Sequence, residues 1–142
     1  MKYITTFPLF LLFVALLISS CAGAQAPVAE SPHQIDMASL PLELTTQQVN
    51  NIRNNPDVVL IDVREQWEYD EGHIPNVKLI PLGSLPDRIN EIPEDKFVVM
   101  TCRSGNRSGQ ATKFLREQGF DNVHNMAGGI LAWQKAGLPV EK

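Results

Sequence analysis

The sequence predicts an α/β domain: a small, mostly parallel, five-stranded sheet with helices on both faces. Three observations carry that prediction. From Leu42 onward, five short apolar runs are separated by helix-like stretches, the alternation of a parallel sheet. Val58-Val59-Leu60-Ile61 is apolar without a break, as expected of a strand covered on both faces. The stretch from Leu42 to the end is roughly one hundred residues, enough for one core and no more.

The elements follow in order. Leu42-Glu43-Leu44 is the first short strand. Thr45 caps a helix running to about Asn54, with Val49 and Ile52 on its inner face. Pro56 and Asp57 turn the chain into the Val58–Ile61 strand. Glu65 to Tyr69 makes one or two helical turns that stop near Gly72. Val77 to Ile80 is the third strand. Ser84 to Ile92 reads as a helix, with Pro86 tolerated in its first turn. Phe97 to Thr101 is the next strand, and Gln110 to Gln118 the helix after it, stopped by Gly119. Val123 and its neighbours form the last strand, and Ile130 to Ala136 the closing helix.

Between the fourth strand and its helix lies Cys102-Arg103-Ser104-Gly105-Asn106-Arg107-Ser108. Ligands of parallel sheets bind beyond the carboxyl ends of the strands, where this cysteine falls. Backbone N–H groups and a helix start favour an anion there. A thiol in such a place ionises more easily than a free one. Arg103 and Arg107 are expected to strengthen that effect and to hold an anionic substrate by paired hydrogen bonds. Gly105 permits a turn that a β-carbon would resist. The chemistry this spacing asks for is a nucleophilic sulfur in an anion cradle.

At these residues the chain resembles the rhodanese family of sulfurtransferases, whose loop opens with the sulfur-carrying cysteine and often reads C-R-S-G-x-R. Two further segments match in order. Asp62-Val63-Arg64-Glu65, Glu68-Tyr69 and Gly72-His73-Ile74-Pro75 resemble the first signature. Gly128-Gly129-Ile130, Trp133, Gly137 and Pro139 resemble the last. Asn76 and Val77 stand where a small Gly-Ala pair is common, and asparagine tolerates tight turns. The resemblance implies a Cys102 persulfide, formed from thiosulfate or a similar small anionic donor and passed to a thiol or cyanide. Ser104, Gly105, Asn106 and Ser108 would line the substrate with the two arginines, and no metal or other cofactor is needed. Asp62 and Arg64 would pair or brace the loop rather than react. His73 would belong to a structural turn, Trp67 and Trp133 to packing, and His124 to a strand-end surface. A phosphatase or arsenate reductase is disfavoured: phosphatase loops hold one residue more between cysteine and arginine. A non-catalytic module that binds or senses sulfur stays open.

The N-terminus reads differently. Residues 1–20 have one charge, Lys2, and an apolar stretch from Ile4 to Ile18, the pattern of an export signal. It is short for a membrane span, which needs about 20 residues. Ile18-Ser19-Ser20-Cys21 resembles a lipoprotein signal, with Cys21 as the lipid-carrying first residue of the mature chain. Cleavage after Ala24 and plain secretion is the alternative. Residues 21–41 read as a flexible linker, with His33 solvated, and 42–142 as the domain. The expected location is a bacterial membrane surface facing the periplasm or exterior, reached through the lipid anchor only. With Cys21 acylated, Cys102 is the sole thiol, which argues against dithiol redox chemistry. An exposed thiol is expected there. Net charge is −4, which disfavours a nucleic-acid partner. The expected form is a monomer.

Overall fold

The computed structural model describes residues 36–142. The expectations for Cys21, the export signal and His33 fall outside them. The chain runs β1 (Glu43–Leu44), α1 (Thr46–Ile52), β2 (Val58–Asp62), α2 (Gln66–Glu71), β3 (Lys78–Leu79), β4 (Phe97–Thr101), α3 (Asn106–Glu117), β5 (Val123–Met126) and α4 (Gly129–Lys135). The five strands form one sheet in the order β1-β5-β4-β2-β3, and every pairing between them is parallel. The expected α/β architecture is therefore present. Among the described residues no helix is long and apolar enough to cross a membrane.

Strand periodicity divides the core into two layers. Val99 of β4 packs with Leu44, Val49, Leu60, Met126 and Trp133 on one face of the sheet. Val98 and Met100 pack with Ile61, Ala111, Leu115 and Val123 on the α3 face. Cys102 continues the Val98, Met100 series and joins the α3-side layer, only 1% exposed. The exposed thiol expected from the sequence is thus a buried one, because strand alternation carries past the end of β4.

Local signals explain the element ends. Thr45 and Gln48 form a reciprocal cap on α1: Thr45 Oγ1 accepts from the Gln48 N–H at 3.3 Å, and Gln48 Oε1 from the Thr45 N–H at 2.9 Å. Asn76 adopts φ 64°, the left-handed turn that asparagine tolerates. Two expectations differ. Residues 84–92 are not a helix but lie in and between two 3₁₀ turns, Leu82–Ser84 and Ile89–Glu91. Pro86 has no N–H to offer the Leu82 carbonyl, so Leu85 bonds it instead in the tighter pattern. α3 also begins at Asn106 rather than Gln110, because Gly105 at φ 96° ends the loop early.

Candidate active site

The junction of β4 and α3 folds around the sulfur. The Gly105 N–H donates to Cys102 Sγ at 3.1 Å. The Ser108 hydroxyl lies 3.3 Å from Sγ and 3.1 Å from the Gly105 carbonyl. A hydroxyl has one proton, so it serves one acceptor at a time. Burial pushes the thiol up, but the Ser108 hydroxyl and the N–H groups of Ser108, Ser104 and Gly105 outweigh it. The thiol is held below its ordinary value of 9.0. These neutral donors lie closest to the sulfur, and the Arg107 guanidinium interacts favourably with its charge.

α4 braces this loop from the far side. The Ile130 N–H donates to the Cys102 carbonyl at 2.8 Å and the Leu131 N–H to the Arg103 carbonyl at 3.1 Å. These contacts need the backbone of Gly129 hard against the loop. A Cβ there would sit 2.3 Å from Cys102 O.

The arginines are committed unequally. Arg107 Nη1 and Nη2 donate to Glu68 Oε2 and Oε1 at 2.6 and 2.7 Å, a bidentate pair joining α3 to α2. The Arg107 guanidinium, expected to meet an anion, is paired with the Glu68 carboxylate in this structure. Arg103 is exposed and forms no ion pair among the described residues. It lines a cleft of about 210 Å³ with Arg64, Glu68, Gly72, Ile130 and Leu131. Arg64 is buried. Its Nε donates to Asp62 Oδ2 at 2.8 Å, and Nη1 and Nη2 donate to the Glu68 and Gly72 carbonyls, each at 2.9 Å. Asp62 and Arg64 therefore do pair, and they tie the middle of α2 and its C-cap to the end of β2.

A family model for the rhodanese-like domain matches residues 45–136. The chain belongs to the rhodanese-like domain family. A sulfurtransferase of Allochromatium vinosum is 44% identical over 63% of this chain and 83% of its own length. A tRNA uridine(34) hydroxylase of Photorhabdus laumondii is 33% identical over 68% of this chain, which spans only 30% of that protein. The crystal structure of a rhodanese-related protein from Thermoplasma volcanium superposes with a TM-score of 0.66 at 30% identity. That match covers 71% of this chain and 98% of the other.

The remaining side chains of this rhodanese domain sort by contact. His73 has both ring nitrogens engaged, Nδ1 3.0 Å from the Tyr69 carbonyl and Nε2 3.5 Å from Glu141 Oε1, and its ring stacks on Tyr69. It belongs to a structural turn, as the resemblance implied. Trp133 is fully buried and donates Nε1–H to the Pro139 carbonyl at 2.8 Å. Trp67, expected to pack, is 60% exposed, because α2 is short and turns only Glu68 fully inward. His124, expected at the surface, is buried inside β5. Its ring stacks on Phe97 and its Nδ1 lies 2.9 Å from the Pro41 carbonyl.

Glu68 had no assigned role in the sequence reading. The spacing Glu65-x-x-Glu68 is a cap signal, and Glu68 Oε2 does accept from the Glu65 N–H at 3.1 Å. Nothing in the sequence joins it to Arg107. The Arg107 hydrogen bond, against burial that pushes the other way, holds the Glu68 carboxyl at about 2 instead of 4.5. A depressed acid stabilises the fold fully above 4.5 and loses that contribution as pH falls toward 2. Glu68→Gln should therefore cost on the order of 2 kcal/mol at neutral pH. Its stability should also fall less steeply than wild type through that acid window. Denaturant unfolding at several pH values checks both, and an acid limb as steep as wild type would show the pair contributes nothing.

Proposed function

We propose that this rhodanese-like domain is a sulfurtransferase that moves a sulfane sulfur from thiosulfate or a similar donor to a thiol or cyanide. The observation that carries the reading is the thiol itself: a single sulfur at a helix start, with an amide and a hydroxyl donor on it and its pKa lowered. The Cys102 thiolate attacks the outer sulfur of the donor. The Sγ–S bond forms, the donor's S–S bond breaks, and sulfite leaves with that electron pair. The charge building on the leaving group meets the N–H groups of the Ser104–Ser108 turn, including Asn106, and the uncommitted cation Arg103. Arg107 shapes the turn through Glu68 and does not serve as the main anion ligand. The acceptor thiolate or cyanide then attacks the outer sulfur of the persulfide, and Cys102 leaves as thiolate, ready for another cycle.

The burial of Cys102 favours a second reading, a module that holds sulfur without turning it over. Export and acylation at Cys21 are part of the same proposal. They rest on the Lys2 start, the apolar stretch and the Ile18-Ser19-Ser20-Cys21 pattern. Two measurements test these readings together. Thiosulfate plus cyanide should yield thiocyanate. Intact mass of the purified mature chain should show acyl groups on a chain starting at Cys21 and one extra sulfur on Cys102. Sulfur on Cys102 without turnover would establish the binding module, and a soluble chain starting at Gln25 would establish plain secretion.

A further inference from the structure

Asn125 supports the reactive loop from behind, and the chemistry above makes no use of it. It lies inside β5 and is 4% exposed. Strand alternation puts it on the same sheet face as Val123, which packs in the α3-side layer. A polar side chain there must find partners or lose stability. Its register partner on β1 is Glu43. Asn125 Nδ2 donates to Glu43 Oε2 at 2.8 Å and to the Gly105 carbonyl at 3.2 Å. Both partners only accept, so the amide has one possible orientation. That orientation leaves Asn125 Oδ1 buried without a partner. A residue chosen for packing alone would carry no such burden. Gly109 leaves room for the amide: a Cβ there would sit 3.4 Å from Nδ2.

The Gly105 carbonyl is also within reach of the Gly109 N–H at 2.9 Å and of Ser108 Oγ at 3.1 Å. Ser108 can satisfy this carbonyl or the sulfur, but not both. The amide of Asn125 covers the carbonyl when the Ser108 proton turns to sulfur. It also fixes a glycine whose backbone would otherwise be the freest in the loop. We propose that Asn125 is a positioning residue for the sulfur chemistry: by donating to the Gly105 carbonyl it steadies the Gly105 turn and releases the Ser108 proton to Cys102 Sγ. This rests on Cys102 working as a thiolate, as in the function proposed above.

The test is the pH dependence of Cys102 alkylation by iodoacetamide in the full chain. Mass spectrometry follows the Cys102 peptide, separately from Cys21. Asn125→Ala should raise the midpoint by about one pH unit, leaving about tenfold less thiolate below it. Asn125→Asp should raise it further, because a carboxylate would face two acceptors. Ser108→Ala should raise it too, and the double variant with Asn125→Ala should rise by less than the sum. An unmoved midpoint in folded Asn125→Ala, or full additivity with Ser108→Ala, would overturn the proposal. If neither Asn125 variant folds, Asn125→Ser takes their place, because its shorter side chain cannot keep the 3.2 Å bond to the Gly105 carbonyl. An unmoved midpoint there overturns the proposal equally. The alkylation readout needs no turnover, so a wild-type chain that transfers no sulfur would sink the proposed function and leave this test standing.

Discussion

Cys102→Ser is expected to abolish the proposed sulfur transfer and to leave a folded domain. A serine hydroxyl ionises far less readily than a thiol and cannot carry a persulfide, so both half-reactions lose their nucleophile. The cost to stability should be small but measurable. Cys102 is part of the α3-side core layer and 1% exposed, so the smaller, more polar serine loses some apolar packing. The new hydroxyl keeps the Gly105 N–H as a partner, which limits the loss to on the order of 1 kcal/mol. The comparison also has a pH signature. The folded thiol is held below 9.0, so it stabilises the wild type fully above that value and loses the effect as pH falls through the folded pKa. The stability gap between wild type and serine variant should therefore widen with rising pH across that window. Thiocyanate assays and thermal melting at several pH values are the measurements. Substantial turnover in the serine variant would eliminate the persulfide mechanism.

Gly129→Ala is expected to cost more stability than any other single change considered for this chain. Gly129 has φ 55°, a conformation that costs alanine about 1–2 kcal/mol before any contact is counted. The contacts are worse. Its Cβ would lie 2.3 Å from Cys102 O and 2.6 Å from Arg103 C, and both atoms are backbone, with no side-chain end to swing away. Relief requires α4 to retreat, which breaks the Ile130 N–H bond to the Cys102 carbonyl and uncovers Trp133. A loss on the order of 3 kcal/mol or more is expected, together with lower sulfur transfer in whatever fraction stays folded. Gly119→Ala is the comparison. It shares a positive φ, 100°, but has nothing within 4 Å of its Cβ, so it should lose only about 1 kcal/mol. Chemical denaturation of the two variants side by side checks the argument. Equal losses would show that backbone conformation alone, and not the approach to the reactive loop, is what Gly129 provides.

Local physics made the frame legible from the amino-acid sequence. The unbroken apolar run at Val58–Ile61 reads as a strand covered on both faces, Phe97–Thr101 as the strand feeding the reactive loop, and Thr45 marks a helix start. The alternation of short elements made the sheet parallel, and that alone put Cys102 at its carboxyl edge. The reactive stretch was legible too, since a cysteine, a turn-forming glycine and a helix start are neighbours in the chain. What the tertiary structure decided was which distant group each polar side chain meets. Arg107 is a neighbour of Cys102 in the chain, and only the fold brought Glu68, 39 residues away, to its guanidinium. The Glu43–Asn125–Gly105 chain spans 82 residues on one side and 20 on the other. His124 and Cys102 were expected at the surface because chain position says little about burial, and strand alternation turned both inward. Hydrogen bonds and ion pairs act over a few ångströms of space, so sequence reports them only where contour and space coincide. In this domain they coincide within the loop and within each helix cap, and nowhere between the layers that hold the loop in place.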